Sequence, residues 1–143
     1  MRRMTSGLET NKAREANKAI VRRLIDGIDR ADFSVLERVC SKRLRAHVKG
    51  TELDRSQIEA AARQFSKAFP DIRHDIKDMV AEGNRVVVRA MDEATHRSEF
   101  RGIPATHKRV RFEMIAIYKI SRGRITEIWE QIDTEALLQQ LTK

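Results

Sequence analysis

The feature that most constrains this chain is the change of hydrophobic period at Pro70. Before it, apolar residues recur at steps of three and four; after it they alternate with polar ones or run together. Helical spacing followed by strand spacing predicts helices first and an antiparallel meander afterwards. Ala16, Ala19, Ile20, Leu24, Ile25 and Ile28 predict an amphipathic helix from Ala13, whereas residues 1–12 are polar and aperiodic and are expected to form a disordered or frayed tail. Asp32 is placed to cap a short helix over residues 33–39, and the alternation of Leu44, Arg45, Ala46, His47 and Val48 predicts a short strand. A third helix, from Asp54 or Ser56 to Ala68, turns Ile58, Ala61, Ala62, Phe65 and Phe69 inward. Pro70, which lacks an amide hydrogen, stops it.

Beyond Pro70, residues 72–80 predict a strand, Glu82-Gly83-Asn84 a hairpin turn, and Arg85 opens the next strand. Gly102-Ile103-Pro104 marks a loop. Residues 110–120 form a long strand, Ser121-Arg122-Gly123 a second tight turn, and residues 124–132 the last strand before a helix over 134–141. The expected class is α+β, with a curved sheet folded around the helices and a concave face able to enclose a cavity.

A length of 143 residues suits a single domain, taken as residues 13–143, with no need of a disulfide or metal to fold. Cys40 stands alone in an apolar run and reads as a small buried hydrophobe. The net charge of +8 raises the question of nucleic acid, but the basic residues are dispersed among acidic ones, and Lys108-Arg109-Val110-Arg111-Phe112 is the one local concentration. No specific nucleic-acid partner is expected. Without an apolar run long enough to span a bilayer or a secretion-type N-terminus, no membrane association and a cytoplasmic location are expected. The histidines show no short ligand spacing and no phosphate-binding glycine loop is present, so neither metal nor cofactor is expected.

The chain resembles the SnoaL-like polyketide cyclases, a branch of the cone-shaped proteins related to nuclear transport factor 2 and ketosteroid isomerase. The resemblance runs from Asn17-Lys18-Ala19-Ile20 through Ala68-Phe69-Pro70-Asp71-Ile72 and Ala81-Glu82-Gly83-Asn84 to Leu137-Leu138-Gln139-Gln140-Leu141. Its most specific piece is Thr95-His96 followed by Phe100-Arg101-Gly102-Ile103-Pro104-Ala105-Thr106. It implies the cone fold with a central cavity and a cofactor-independent intramolecular aldol closure, in which a carboxylate on the final strand is the general acid/base. Counted back from Gly123, that carboxylate falls at Glu130. Two polar partners in the cyclases fall at Met114 and Ala116, both apolar here. Two functions therefore stand side by side: acid/base chemistry on an apolar carbonyl compound, as cyclisation, isomerisation or a lyase reaction, and a noncatalytic binder or dimeric scaffold that has lost these partners.

The residues themselves add to this. Glu130 shares a strand face with Ile128 and Ile132; on a concave face its carboxyl would be desolvated and fit for proton transfer, and on the other it would pair with an arginine. His96, the second candidate catalytic group, could donate to a carbonyl or simply pack at the pocket mouth. Phe112, Met114, Ala116 and Tyr118 lie in line on the neighbouring strand, as cavity wall or as core, and His47 could reach the ligand from the other side. His74 and His107 stand among charged residues and read as solvated. Trp129, with Ile115 and Ile117, would make an apolar patch on the convex face, for which the family's habit of packing sheets together implies a homodimer.

Overall fold

The computed structural model describes residues 2–143. In chain order the elements are α1 (Arg2–Asp29), α2 (Val35–Val39), β1 (Cys40–Val48), β2 (Thr51–Asp54), α3 (Arg55–Ala68), β3 (Arg73–Glu82), β4 (Arg85–Thr95), β5 (Arg109–Ser121), β6 (Arg124–Ile132) and α4 (Thr134–Thr142). The strands form one open sheet in the order β2-β1-β6-β5-β4-β3. Only β1 and β6 run parallel; the other neighbours are antiparallel. Irregularities in register interrupt β1 against β6, β3 against β4 and β5 against β6. Such bulges bend and twist a sheet, here around the helices.

Several boundaries differ from the sequence reading for identifiable reasons. Helix α1 begins at Arg2 rather than near Ala13, so residues 2–12, expected as a tail, are helical. Thr5, Ser6, Gly7, Thr10 and Asn11 are poor helix formers and Arg2, Arg3, Met4, Leu8, Glu9 and Lys12 good ones, so the helix runs there as an extension of turns already formed rather than on an apolar stripe, and Thr10, Asn11, Lys12 and Ala13 remain exposed. Asp32 does not cap α2. Ser34 occupies the cap position, and the Asp32 carboxylate instead accepts from the Ser34 hydroxyl and the Arg38 guanidinium. β2 follows β1 through a two-residue turn at Lys49 and Gly50, both at positive φ, and is a strand the sequence reading missed. The start of α3 is fixed by a reciprocal cap: Asp54 Oδ1 accepts from Gln57 N at 2.8 Å, while Gln57 Oε1 accepts from Asp54 N at 2.9 Å.

Alternation along the strands divides the sheet into two faces. Val86, Val88, Ala90, Asp92 and Ala94 of β4 point inward with Val110, Phe112, Met114, Ala116, Tyr118 and Ile120 of β5, all buried. Helix α1 lays Ile20, Val21, Leu24 and Ile25 on this face. It approaches α2 so closely that a Cβ at Gly27 would stand 2.7 Å from Val35. A second cluster, built from Phe69, Ile72, Phe112, Leu137 and Leu141, closes the other end of the sheet. Cys40 is buried and its thiol is pushed up to about 12, chiefly by burial, so it packs rather than reacts.

Candidate active site

A cavity of about 310 Å³ opens between the helices and the concave face, at the small end of the range for ligand pockets. Its wall is mostly apolar and draws on both core clusters, from Leu24, Ile25 and Leu36 to Phe65, Phe100 and Leu137. Against that wall stand Glu130 of β6, Asp92 of β4, His74 of β3 and Tyr118 of β5.

Register places these groups. Glu130 pairs with Ala116, and Tyr118 with Ile128, so the phenol stands diagonally along the ladder from the carboxyl. His74 pairs with Asp92 across β3 and β4. The imidazole is held from behind by the last residue of α1. Asp29 accepts from the His74 backbone amide at 3.0 Å and pairs with Nδ1 at 2.5 Å. That leaves Nε2 facing Asp92, 3.5 Å from Oδ2. Carboxylate, imidazole and carboxyl therefore follow one another from α1 to β4, ending in the cavity wall.

The surroundings of each group favour holding a proton. Glu130 is half-buried because its accessible surface faces the cavity; enclosure by apolar side chains raises its pKa against the opposing charges of His74 and Lys49. Asp92, only 2% exposed, is pushed up to about 7 by burial, with Glu130 and Asp29 adding and His74 opposing. Its Oδ1 has no hydrogen-bond partner among the described residues, a further cost to the charged form. For His74 burial is the largest influence and disfavours the charged ring, yet the Asp29 hydrogen bond and the carboxylates of Asp92, Asp29 and Glu130 leave its pKa raised. Tyr118 is raised well above its usual value by burial, so it stays a phenol and can only donate or accept a hydrogen bond.

Of the residues singled out in the sequence, Glu130, Met114, Tyr118, Ile128 and Ile132 line the cavity. Ala116 and Phe112 are buried beside it but do not line it. His47 points the other way: opposite Trp129 in the parallel ladder, it stacks on that indole with centroids 5.5 Å apart and bonds Glu127 at 2.7 Å on the outer face. His96 is fully buried behind the cavity, stacked on Phe69 at 5.4 Å. Its Nδ1 accepts from the Thr106 amide at 3.1 Å, which puts the ring proton on Nε2, an atom with no partner among the described residues. It ties the loop before β5 to the end of β4 rather than reaching a ligand. His74, expected in solvent, is instead part of the cavity wall; its flanking charges are chain neighbours that point to the opposite face. His107 is exposed.

A curved, open sheet wrapped around helices, with carboxyls turned toward its concave face, is the cone architecture, and known proteins share it. Residues 18–141 match the SnoaL-like polyketide cyclases, and the chain belongs to that family. Among solved structures, it is similar to AclR from Streptomyces galilaeus, described as a candidate hydroxylase, with 26% identity, 90% of this chain and 97% of that one covered, and a TM-score of 0.85. IdmH from Streptomyces antibioticus, a candidate polyketide cyclase, gives 24% identity, coverage of 89% and 99%, and a TM-score of 0.82. TsrD from Streptomyces laurentii gives 23% identity, coverage of 90% and 96%, and a TM-score of 0.80. No curated protein matches the chain. Among the described residues, no helix is long and apolar enough to cross a membrane.

Proposed function

We propose that the protein catalyses a cofactor-independent acid/base reaction on an apolar carbonyl compound held in the cone, with an intramolecular aldol cyclisation as the reaction the site fits best. The observation that carries this reading is the presence of two carboxyls, Glu130 and Asp92, in one apolar cavity, both with raised proton affinity. Groups that exchange protons near neutral pH are what removal of a proton beside a carbonyl requires. As a carboxylate, Glu130 takes the proton from the carbon next to the carbonyl. The Tyr118 phenol donates a hydrogen bond to the enolate oxygen that forms, replacing on this chain the polar groups absent at Met114 and Ala116. The enolate carbon then bonds to a second carbonyl carbon of the same molecule, and the resulting alkoxide takes a proton from Asp92, backed by His74 and Asp29.

The apolar residues at Met114 and Ala116 favour a second reading, a binder that has kept the cavity without the reaction. One experiment separates the two. 2-Tetralone, an apolar bicyclic ketone, is incubated with the protein in deuterium oxide and exchange of its α-hydrogens is followed by NMR. The acid/base reading expects exchange faster than in buffer, lost in Glu130→Gln. Binding of the ketone without faster exchange would establish the binder instead. We further propose that the chain acts in the cytoplasm as a homodimer joined through the outer face of the sheet, where Val80, Val87 and Ile115 are exposed.

A further inference from the structure

Two cations stand over the cavity, and among the described residues neither is in an ion pair. Lys49 and Arg101 both line it, and both are exposed at their outer ends. Their positions are built in the same way. Lys49 and Gly50, at φ of 53° and 75°, form the two-residue turn between paired Val48 and Thr51. Arg101 and Gly102, at φ of 49° and 80°, form another between Phe100 and Ile103, whose backbones exchange hydrogen bonds of 3.0 and 2.9 Å. In each turn a long cationic side chain occupies a left-handed position that such residues seldom adopt, with glycine taking the second. The Arg101 turn is further pinned by Glu99, whose carboxylate accepts from the Gly102 amide at 2.7 Å. Each tip is thus fixed by its own hairpin, and the two tips come from distant parts of the chain to one opening.

Among the described residues, neither cation forms an ion pair. Arg101 instead lies over the Phe100 ring, 5.6 Å from its centroid. Lys49 has its pKa lowered, by burial first and then by the nearby charge of Arg101, with Glu130 opposing. Two like charges held within reach of each other above an apolar chamber are costly as they stand, and an anion between them relieves both. Glu130 is the one cavity carboxyl that acts on Lys49, but it sits on the sheet below and its own proton affinity is raised.

We propose that Lys49 and Arg101 form an anion clamp at the mouth, and that the molecule the cavity takes is an apolar compound ending in a carboxylate. This rests on the reading of the cavity as a site for an apolar carbonyl compound and specifies one end of that compound. The clamp would hold the carboxylate at the opening, with the apolar body and its reacting carbonyl directed toward Glu130, Tyr118 and Asp92.

Binding of 2-naphthoate and of methyl 2-naphthoate, which share a body and differ in charge, tests it by calorimetry at low and at physiological salt. The wild type should bind the acid about tenfold or more tightly than the ester, the difference shrinking as salt rises. Lys49→Gln/Arg101→Gln should bind both at the ester's affinity. Both residues are exposed at turn tips, so the variant should fold, as circular dichroism will check, and Lys49→Arg should keep most of the preference. Equal binding of acid and ester by the wild type overturns the clamp while leaving the cavity reading intact, as does a preference that survives in the double variant. If neither compound binds, the cavity reading itself fails and the clamp falls with it.

Discussion

The two faces of the sheet treat the same chemical groups in opposite ways. On the concave face Glu130, Asp92 and His74 all have raised proton affinity. On the outside, Asp75 is lowered by its hydrogen bond with Lys77 and Glu52 by its bond with Arg45, each acidic side chain more than half exposed. The outer charges find partners of opposite sign at little cost, as in Arg89 with Asp78 and Glu113. The inner groups face an apolar wall and one another. Although arginine and lysine are abundant in this chain, among the described residues only Lys49 and Arg101 of them line the cavity and neither forms an ion pair with Glu130 or Asp92, so the inner carboxyls are not neutralised by a guanidinium or ammonium as the outer ones are. Groups left with high proton affinity in a chamber of ligand size point to proton exchange there.

The largest effect should come from Glu130→Gln, which keeps the shape and removes the ionisation. Turnover, or exchange of the tetralone α-hydrogens, should fall by about 10²- to 10⁴-fold, the usual worth of a positioned general base. Ligand affinity and the thermal midpoint should change little. Full activity in this variant would transfer the base role to Asp92 or end the acid/base reading.

Asp92→Asn comes next, and its clearest readout is stability against pH. The folded protein binds the Asp92 proton more tightly than the unfolded chain does, since the carboxyl goes from 3.8 to about 7 on folding. Its contribution to stability is therefore most favourable below the unfolded value and falls as pH rises from about 4 to about 7. Glu130, also raised, has the same sign. His74 does too: raised above 6.5, it stabilises below that value and its contribution is lost as pH climbs through its folded value. Thermal midpoints should thus decline between about pH 5 and pH 8, and Asn at 92 should flatten the decline. Each tenfold change in proton affinity is worth about 1.4 kcal/mol, and from about pH 5 to about 7 the folded carboxyl keeps a proton the unfolded one has lost, so about 3 kcal/mol of the decline should vanish with Asp92. A wild type whose stability rises steadily across that range would contradict the buried, uncompensated carboxyl.

Much of this was legible in the sequence, and the gaps have physical causes. The helices, the hairpins at Gly83 and Gly123, and the position of Glu130 on a strand beside isoleucines follow from periodicity and turn chemistry, which are local. The cavity's other half is not local. The chain neighbours of His74, Arg73 and Asp75, are exposed and suggest solvent, although Ile76 two residues on shares its inward face. The same phase argument puts Asp92 inward between Ala90 and Ala94. A period-two reading of β3 and β4 could have found both. Nothing in the sequence could have shown that Asp29, at the end of a helix, would meet His74, because that contact depends on how α1 lies on the sheet. The outward turn of His47 is hidden for a related reason: β1 pairs with β6 in parallel, and the register that sets it opposite Trp129 follows an irregularity between Cys40 and Arg45.

Trp129→Ala probes the outer face and should have a smaller effect. The indole packs between His47 and the Arg85 guanidinium, which lies 5.2 Å from its centroid, beside Ile117 in the ladder. If the proposed homodimer uses this face, sedimentation should show a dimer for the wild type at micromolar concentration. The variant should dissociate about tenfold more readily, in the range of an aromatic contact at an interface. A monomeric wild type would leave the exposed Val80, Val87 and Ile115 without that partner.

The smallest effect should belong to Arg109→Ala, and its smallness is what the comparison of faces requires. Arg109 makes contacts of 3.3 Å to Asp71 and 3.2 Å to Glu93, with 58% of its own side chain exposed. By its number of ion pairs it would rank above Glu130, which has none among the described residues. But water and salt weaken an exposed pair, and ordering a long side chain offsets much of what remains. Both carboxylates also keep other partners: Asp71 accepts from the Thr95 amide and hydroxyl at 2.7 Å each, and Glu93 pairs with Arg111 at 3.2 Å. Neither is left buried and unpaired when Arg109 is removed, which is the condition under which losing a partner becomes expensive. The thermal midpoint should move by no more than about 2 °C at physiological salt, and by less as salt is added. A drop several times larger would mean that the outer network holds the fold as the inner wall does, and the contrast between the two faces would fail at its outer end.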